Sequence, residues 1–205
     1  MTIRLHRGDL PDLSAYKGPV AIDTETMGLD PSRDRLCVVQ LSAGDGNADV
    51  VQIAAGQKKA PNIERLLGDK SIIKIFHFAR FDLGVLAKSF GVMAGPVYCT
   101  KIASRLARTY TDKHGLKDLT REVLCIDVSK QQQLSDWGAD ALTDAQVSYA
   151  ATDVLYLHAL KERLNAMLAR EGRTELAAAC FRFLPDRVRL DLAGWAAEDI
   201  FSHSL

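Results

Sequence analysis

The sequence predicts an α/β fold in which a mixed central sheet is flanked by helices. Short apolar runs rich in β-branched residues fill the chain up to Phe76, and turn chemistry separates them. One helical pattern, opened by Pro61-Asn62, falls between the third and fourth of these runs, and helical spacing dominates from Phe81 onward. Strands followed by helices, with one helix inside the strand series, give a sheet covered by helices. With 205 residues, 47% hydrophobic and 25% charged, the chain is expected to form one domain over 1–205. An apolar tail from about 181 to 205 closes it.

A first segment ends near Pro19. Val20–Thr24 is the first expected strand, and Gly28-Leu29-Asp30-Pro31-Ser32 turns the chain into a second, Leu36–Ser42. The Gly44-Asp45-Gly46-Asn47 turn leads to a third, Ala48–Ile53, which completes an antiparallel meander. A short helix runs to Leu67, Ile72–Phe76 is the fourth strand, and Phe81–Phe90 is a helix burying Leu83, Val85 and Leu86. Further helices are expected over Cys99–Ala107, Leu116–Leu124 and one long stretch from Thr143 to about Arg170, started by the capping box Thr143-x-x-Gln146. The tail residues Phe181, Phe183, Leu184, Leu190, Leu192, Trp195, Ile200 and Phe201 are too apolar for water and must pack on the domain or on another subunit.

Bulk properties exclude several classes. Lys plus Arg and Asp plus Glu are 26 each, so no global field attracts nucleic acid and any anion site is local. Cys37, Cys99, Cys125 and Cys180 form no C-x-x-C pair, which argues against zinc and for reduced thiols in a cytoplasmic protein. The first ten residues lack an apolar signal-peptide core, and no uncharged apolar run approaches the about 18 residues of a membrane span.

The chemistry centres on Ala21-Ile22-Asp23-Thr24-Glu25-Thr26. Strand residues i and i+2 share a face, so Asp23 and Glu25 lie together at the end of a core strand. Like charges that close disfavour each other's ionisation, and a hard divalent cation held by oxygens compensates them. Two more carboxylates are placed to join. Asp82 opens a helix just after a strand, in Phe76-His77-Phe78-Ala79-Arg80-Phe81-Asp82. Asp153 lies on a largely apolar helix in Tyr149-Ala150-Ala151-Thr152-Asp153, one turn after Tyr149 and on the same face.

These three motifs resemble those of the RNase D family, within the DEDD 3′–5′ exonucleases that carry tyrosine in the third motif. Ser135-Asp136-Trp137 is a further RNase D-like touch. Arg33–Ser42, Cys99–Ser104, Ser129–Gln133 and Phe183-Leu184-Pro185 are similar to a compact branch of the family that degrades very short RNAs. Only 39 residues follow Ala166, so the helical RNA-binding domains that RNase D adds are expected to be absent.

The resemblance implies an RNase H-like exonuclease fold and hydrolysis with two Mg²⁺ or Mn²⁺ ions per site. Asp23, Glu25, Asp82 and Asp153 would be the metal ligands and, with Tyr149 orienting the attacking water, the catalytic set. It offers Thr24, Met27, Leu29 (as a wedge between two bases), His77 and Phe81 for the nucleotide. The run from Lys101 to Lys117 supplies phosphate-binding candidates, foremost Arg108 and Lys113. The implied substrate is short RNA, dinucleotides above all, cut from the 3′ end to nucleoside 5′-monophosphates, and the implied assembly is a homo-oligomer of eight. Trimming of longer RNA, exonuclease action on DNA, and a non-catalytic binding module stay open as alternatives.

Overall fold

Among the described residues six strands form one sheet: β1 (Ile3–Arg7), β2 (Val20–Thr26), β3 (Leu36–Ser42), β4 (Ala48–Gln52), β5 (Lys74–Phe76) and β6 (Val97–Cys99). The computed structural model describes residues 1–31, 33–128, 131–132 and 134–203. Ser32 of the 28–32 turn, and Ser129, Lys130 and Gln133 of the 129–133 stretch, lie outside the described residues. The strand order is β1-β4-β3-β2-β5-β6. β2, β3 and β4 pair antiparallel, as the meander predicted, whereas β1 joins β4, and β5 and β6 extend β2, in parallel. The sheet is therefore mixed.

Among the described residues seven α-helices follow or interrupt the strands: α1 (Pro61–Gly68), α2 (Ala79–Phe90), α3 (Thr100–Ala107), α4 (Leu116–Leu124), α5 (Asp144–Leu155), α6 (Leu157–Arg170) and α7 (Thr174–Leu190). Alternation along β2 splits the core in two. Val20 and Ile22 pack with Leu67, Leu83 and Leu86 of α1 and α2, while Ala21 packs with Ala150, Val154, Leu157 and Leu164 of α5 and α6. Both faces of the sheet are thus covered, and fully burying each Val, Leu or Ile contributes about 1.5–3 kcal/mol.

Four elements differ from expectation. β1 was not foreseen because Ile-Arg-Leu-His-Arg is mostly polar. It is an edge strand anchored by Asp49 of β4, which accepts from Arg4 Nε at 2.7 Å and Tyr16 Oη at 2.6 Å. β6 takes Cys99, so the next helix begins at Thr100 instead. The expected long helix breaks at Tyr156, letting α5 lie across β2, β3 and β4 while α6 packs on α3 and α4. α7 was hidden by Pro185, which lies inside it.

The tail divides. Leu184 and Val188 are buried on the core, and Tyr98 packs with Phe181 at a ring-centroid distance of 4.6 Å. Beyond α7 the chain makes a π-helical turn, Asp191–Trp195, pinned where Arg80 of α2 donates to Asp191 at 2.5 and 2.8 Å. Leu192, Trp195, Ile200 and Phe201 stay exposed. Among the described residues no helix is long and apolar enough to cross a membrane, and Cys37, Cys99, Cys125 and Cys180 are free thiols.

Candidate active site

The C-terminal end of β2 delivers the acids. Asp23 and Glu25 continue the face of Ala21, toward α5, where Tyr149 and Asp153 meet them. Carboxylate oxygens of Asp23, Glu25 and Asp153 all come within 4.8 Å of one another. Thr24, on the opposite face, donates from Oγ1 to Asp82 Oδ1 at 2.7 Å, which ties the first turn of α2 to the strand. Gln40, directly across from Asp23 in the β2–β3 register, donates from Nε2 to Asp23 Oδ2 at 2.6 Å.

Burial and mutual repulsion act together on this cluster. Asp23 is pushed well above the usual carboxylate range, chiefly by burial and then by Asp82, Asp153 and Glu25. Burial, with Asp153 and Asp82, pushes Glu25 up to about 9. Burial also raises Asp82 to about 7, although the Thr24 hydrogen bond works against it. The Tyr149 phenol is raised by burial and by the neighbouring acids, so it holds its proton at neutral pH. Three acids at that spacing, with Asp82 beside them on the cleft floor and oxygen-only donors throughout, fit a hard divalent cation, whose positive charge would offset their mutual repulsion.

The acids floor a cleft of about 640 Å³ whose lining also includes Thr24, Met27, Leu29, His77, Phe81 and Tyr149. The structure therefore brings together every sequence-derived site residue except Arg108 and Lys113. Arg108 is fully buried, paired with Glu122, and donates to Ser104 Oγ at 3.1 Å and Lys113 O at 3.0 Å. It braces the loop between α3 and α4 and, being buried, presents no guanidinium to a phosphate. Lys113 is exposed on that loop, outside the cleft lining; among the described residues Lys101 and Lys117 are the lysines that reach the cleft. Thr24 lines the cleft with its hydroxyl committed to Asp82.

The remaining walls explain other motifs. Trp137 is buried with its ring centroid 6.0 Å from that of Tyr149, and Gln146 of the capping box donates to Asp136 O at 2.9 Å. Ser135–Trp137 is thereby fastened to the start of α5. Gly138 lets Met27 approach, because a Cβ there would lie 2.2 Å from the Met27 sulfur. His77 hydrogen-bonds through Nδ1 to Thr100 Oγ1 at 2.9 Å, and that hydroxyl donates to Phe76 O at 3.2 Å. Gln40, Thr100 and Phe78 were missed by sequence reasoning. Gln40 carried a signal, since a polar side chain inside Leu36–Leu41 must find a buried partner.

A sheet ending in paired carboxylates, closed by a helical tyrosine and aspartate, defines a metal-dependent phosphodiesterase class. A family profile for 3′–5′ exonuclease domains matches residues 10–169, and the chain belongs to that family. It is 34% identical to Ribonuclease D of Gluconacetobacter diazotrophicus over 167 residues, 82% of this chain and 42% of that protein. The chain thus spans about two fifths of the length of the Ribonuclease D relatives it matches. The structure of Brucella melitensis NrnC with bound Mg²⁺ superposes with a TM-score of 0.96 at 63% identity, covering all of both chains. NrnC bound to pGG gives 0.97 at 64% identity, again over both whole chains.

Proposed function

We propose that the protein is a divalent-metal-dependent 3′–5′ exoribonuclease acting on very short RNAs, dinucleotides above all, and releasing nucleoside 5′-monophosphates. The observation that carries the reading is the convergence of Asp23, Glu25, Asp82, Asp153 and Tyr149 from β2, α2 and α5 on one cleft floor. Likeness over its whole length to NrnC, whose structure is bound to pGG, supports the short substrate.

Asp23, Glu25 and Asp153 would hold one Mg²⁺ or Mn²⁺ ion, and Asp23 with Asp82 a second. When bound, such ions supply the Lewis acidity that activates water and offsets phosphoryl charge. The protein's own groups do the rest. Tyr149 keeps its proton beside Asp153 and orients the attacking water through its hydroxyl. Gln40 and Thr24 hold Asp23 and Asp82 in place. Leu29, 85% exposed at the cleft mouth, is placed to wedge between adjacent bases, and Lys101 and Lys117 supply positive charge to the nucleotide. Leu192, Trp195, Ile200 and Phe201 form an exposed apolar surface suited to subunit contact, and we assign the protein to a homo-oligomer, an octamer by likeness to the short-RNA branch.

The direct test incubates the protein and Mg²⁺ with RNA labelled at its 3′ end and identifies the product. Labelled nucleoside 5′-monophosphate as first product, abolished by chelator, is expected. A cyclic or 3′-phosphate product overturns the reading.

A further inference from the structure

Two non-glycine residues among those described adopt a left-handed backbone, Phe78 (φ 70°) and Cys125 (φ 59°). Cys125 caps the C-terminus of α4, where that conformation is common. Phe78 instead occupies the N-cap of α2, where a short polar residue normally accepts a backbone hydrogen bond, and it offers no such cap. Glycine or asparagine would suit the backbone better than an aromatic residue. Core packing does not repay the strain, because Phe78 is 45% exposed. Strain kept without burial points to a task in binding.

The surroundings show which task. Phe78 and Lys101 line the catalytic cleft and also a second cavity of about 270 Å³, and they are the residues the two share. Lys101 Nζ lies 4.2 Å from the Phe78 ring centroid, a cation–π contact. Arg105 continues the positive edge of the second cavity. Arg80 and Arg187, also on its wall, both pair with Asp191, whereas neither Lys101 nor Arg105 forms an ion pair among the described residues. An aromatic face joined to an ammonium matches a nucleobase followed by its phosphate.

We propose that Phe78 and Lys101 form a nucleotide subsite beside the carboxylates: the ring face turned away from Lys101 stacks on a base flanking the scissile phosphate, and the ammonium over the other face pairs with a phosphate of the same nucleotide. The subsite rests on the exoribonuclease reading and adds to it residues from which binding strength comes.

The test measures binding and stability together. Phe78→Asn fits the left-handed backbone and removes the ring. Its thermal midpoint is expected to equal or exceed wild type, while the dissociation constant of a non-hydrolysable RNA dinucleotide rises about 5- to 150-fold. An analogue abasic at the stacked position should bind wild type and variant alike, and Lys101→Met should weaken binding and flatten its salt dependence. An unchanged dissociation constant in Phe78→Asn overturns the subsite, whether or not the dinucleotide is cut. A fall in light-scattering mass with binding intact overturns it too, and assigns the ring to a subunit contact. Wild type that binds the dinucleotide through Phe78 but never hydrolyses it would leave the subsite standing and overturn the proposed reaction.

Discussion

Gln40 Nε2 lies 2.6 Å from Asp23 Oδ2, donated across the β2–β3 pair from a side chain with no exposed surface. A neutral donor on one oxygen fixes the carboxylate's rotation and leaves its other oxygen for a cation. Outer partners of this kind typically change metal affinity by about 10–100-fold. Gln40→Met keeps volume and loses the donor, so half-maximal activity should require about 10–100 times more Mg²⁺, with recovery at saturation. An unaltered Mg²⁺ titration would reduce Gln40 to a packing residue.

The acid cluster sets how stability follows pH. Asp82 and Glu25, raised to about 7 and about 9, bind protons more tightly folded than unfolded, where they titrate near about 4. Their penalty is absent below the unfolded value and grows as pH climbs through the folded ones, so the metal-free protein loses stability between about pH 4 and 9. Mg²⁺ removes that penalty, and its thermal shift should be larger at pH 8.5 than at pH 6. Comparing with and without Mg²⁺ cancels the opposing trend of Lys74, whose buried ammonium is pushed down to about 8. Equal shifts at both pH values would contradict this account of the cluster. Asp23→Asn should raise metal-free stability at pH 8.5 and lower turnover by at least about 10²–10³-fold.

Tyr149 keeps its proton, so the role proposed for it is that of a hydrogen-bonding phenol. Tyr149→Phe should lower kcat by about 10²-fold with the substrate dissociation constant near wild type. Weakened binding with kcat preserved would make Tyr149 a wall residue.

Much of this was legible in advance because the relevant physics is local. Period-two spacing put Asp23 and Glu25 on one face, and i,i+4 spacing aligned Tyr149 with Asp153. The antiparallel meander followed from its two turn signals. What escaped depends on tertiary contacts that spacing does not encode. Edge strand β1 exists because Asp49 gathers Arg4, His6 and Tyr16. Arg108 reads as a cation on a basic helix face, yet folding buries it against Glu122 and turns Lys101 and Lys117 to the cleft instead. The left-handed turn at Phe78 is likewise invisible in a string of residue types.

Assembly has its own test. Trp195 and Phe201 are 43% and 75% exposed, so replacing both with serine should leave the monomer's thermal stability intact. The double variant is expected to show a lower mass by light scattering than the parent. A parent that is monomeric at micromolar concentration would remove the octamer and leave the tail without this role.

Substrate length distinguishes a dinucleotide-cleaving enzyme from one that trims longer chains. Turnover should be compared for labelled RNAs of about two, three, seven and twenty nucleotides and DNAs of the same lengths, all with saturating Mg²⁺. The kcat/KM is expected to be highest for the RNA dinucleotide and to fall with each added nucleotide. A kcat/KM that rises with length, or favours DNA, would contradict the dinucleotide reading.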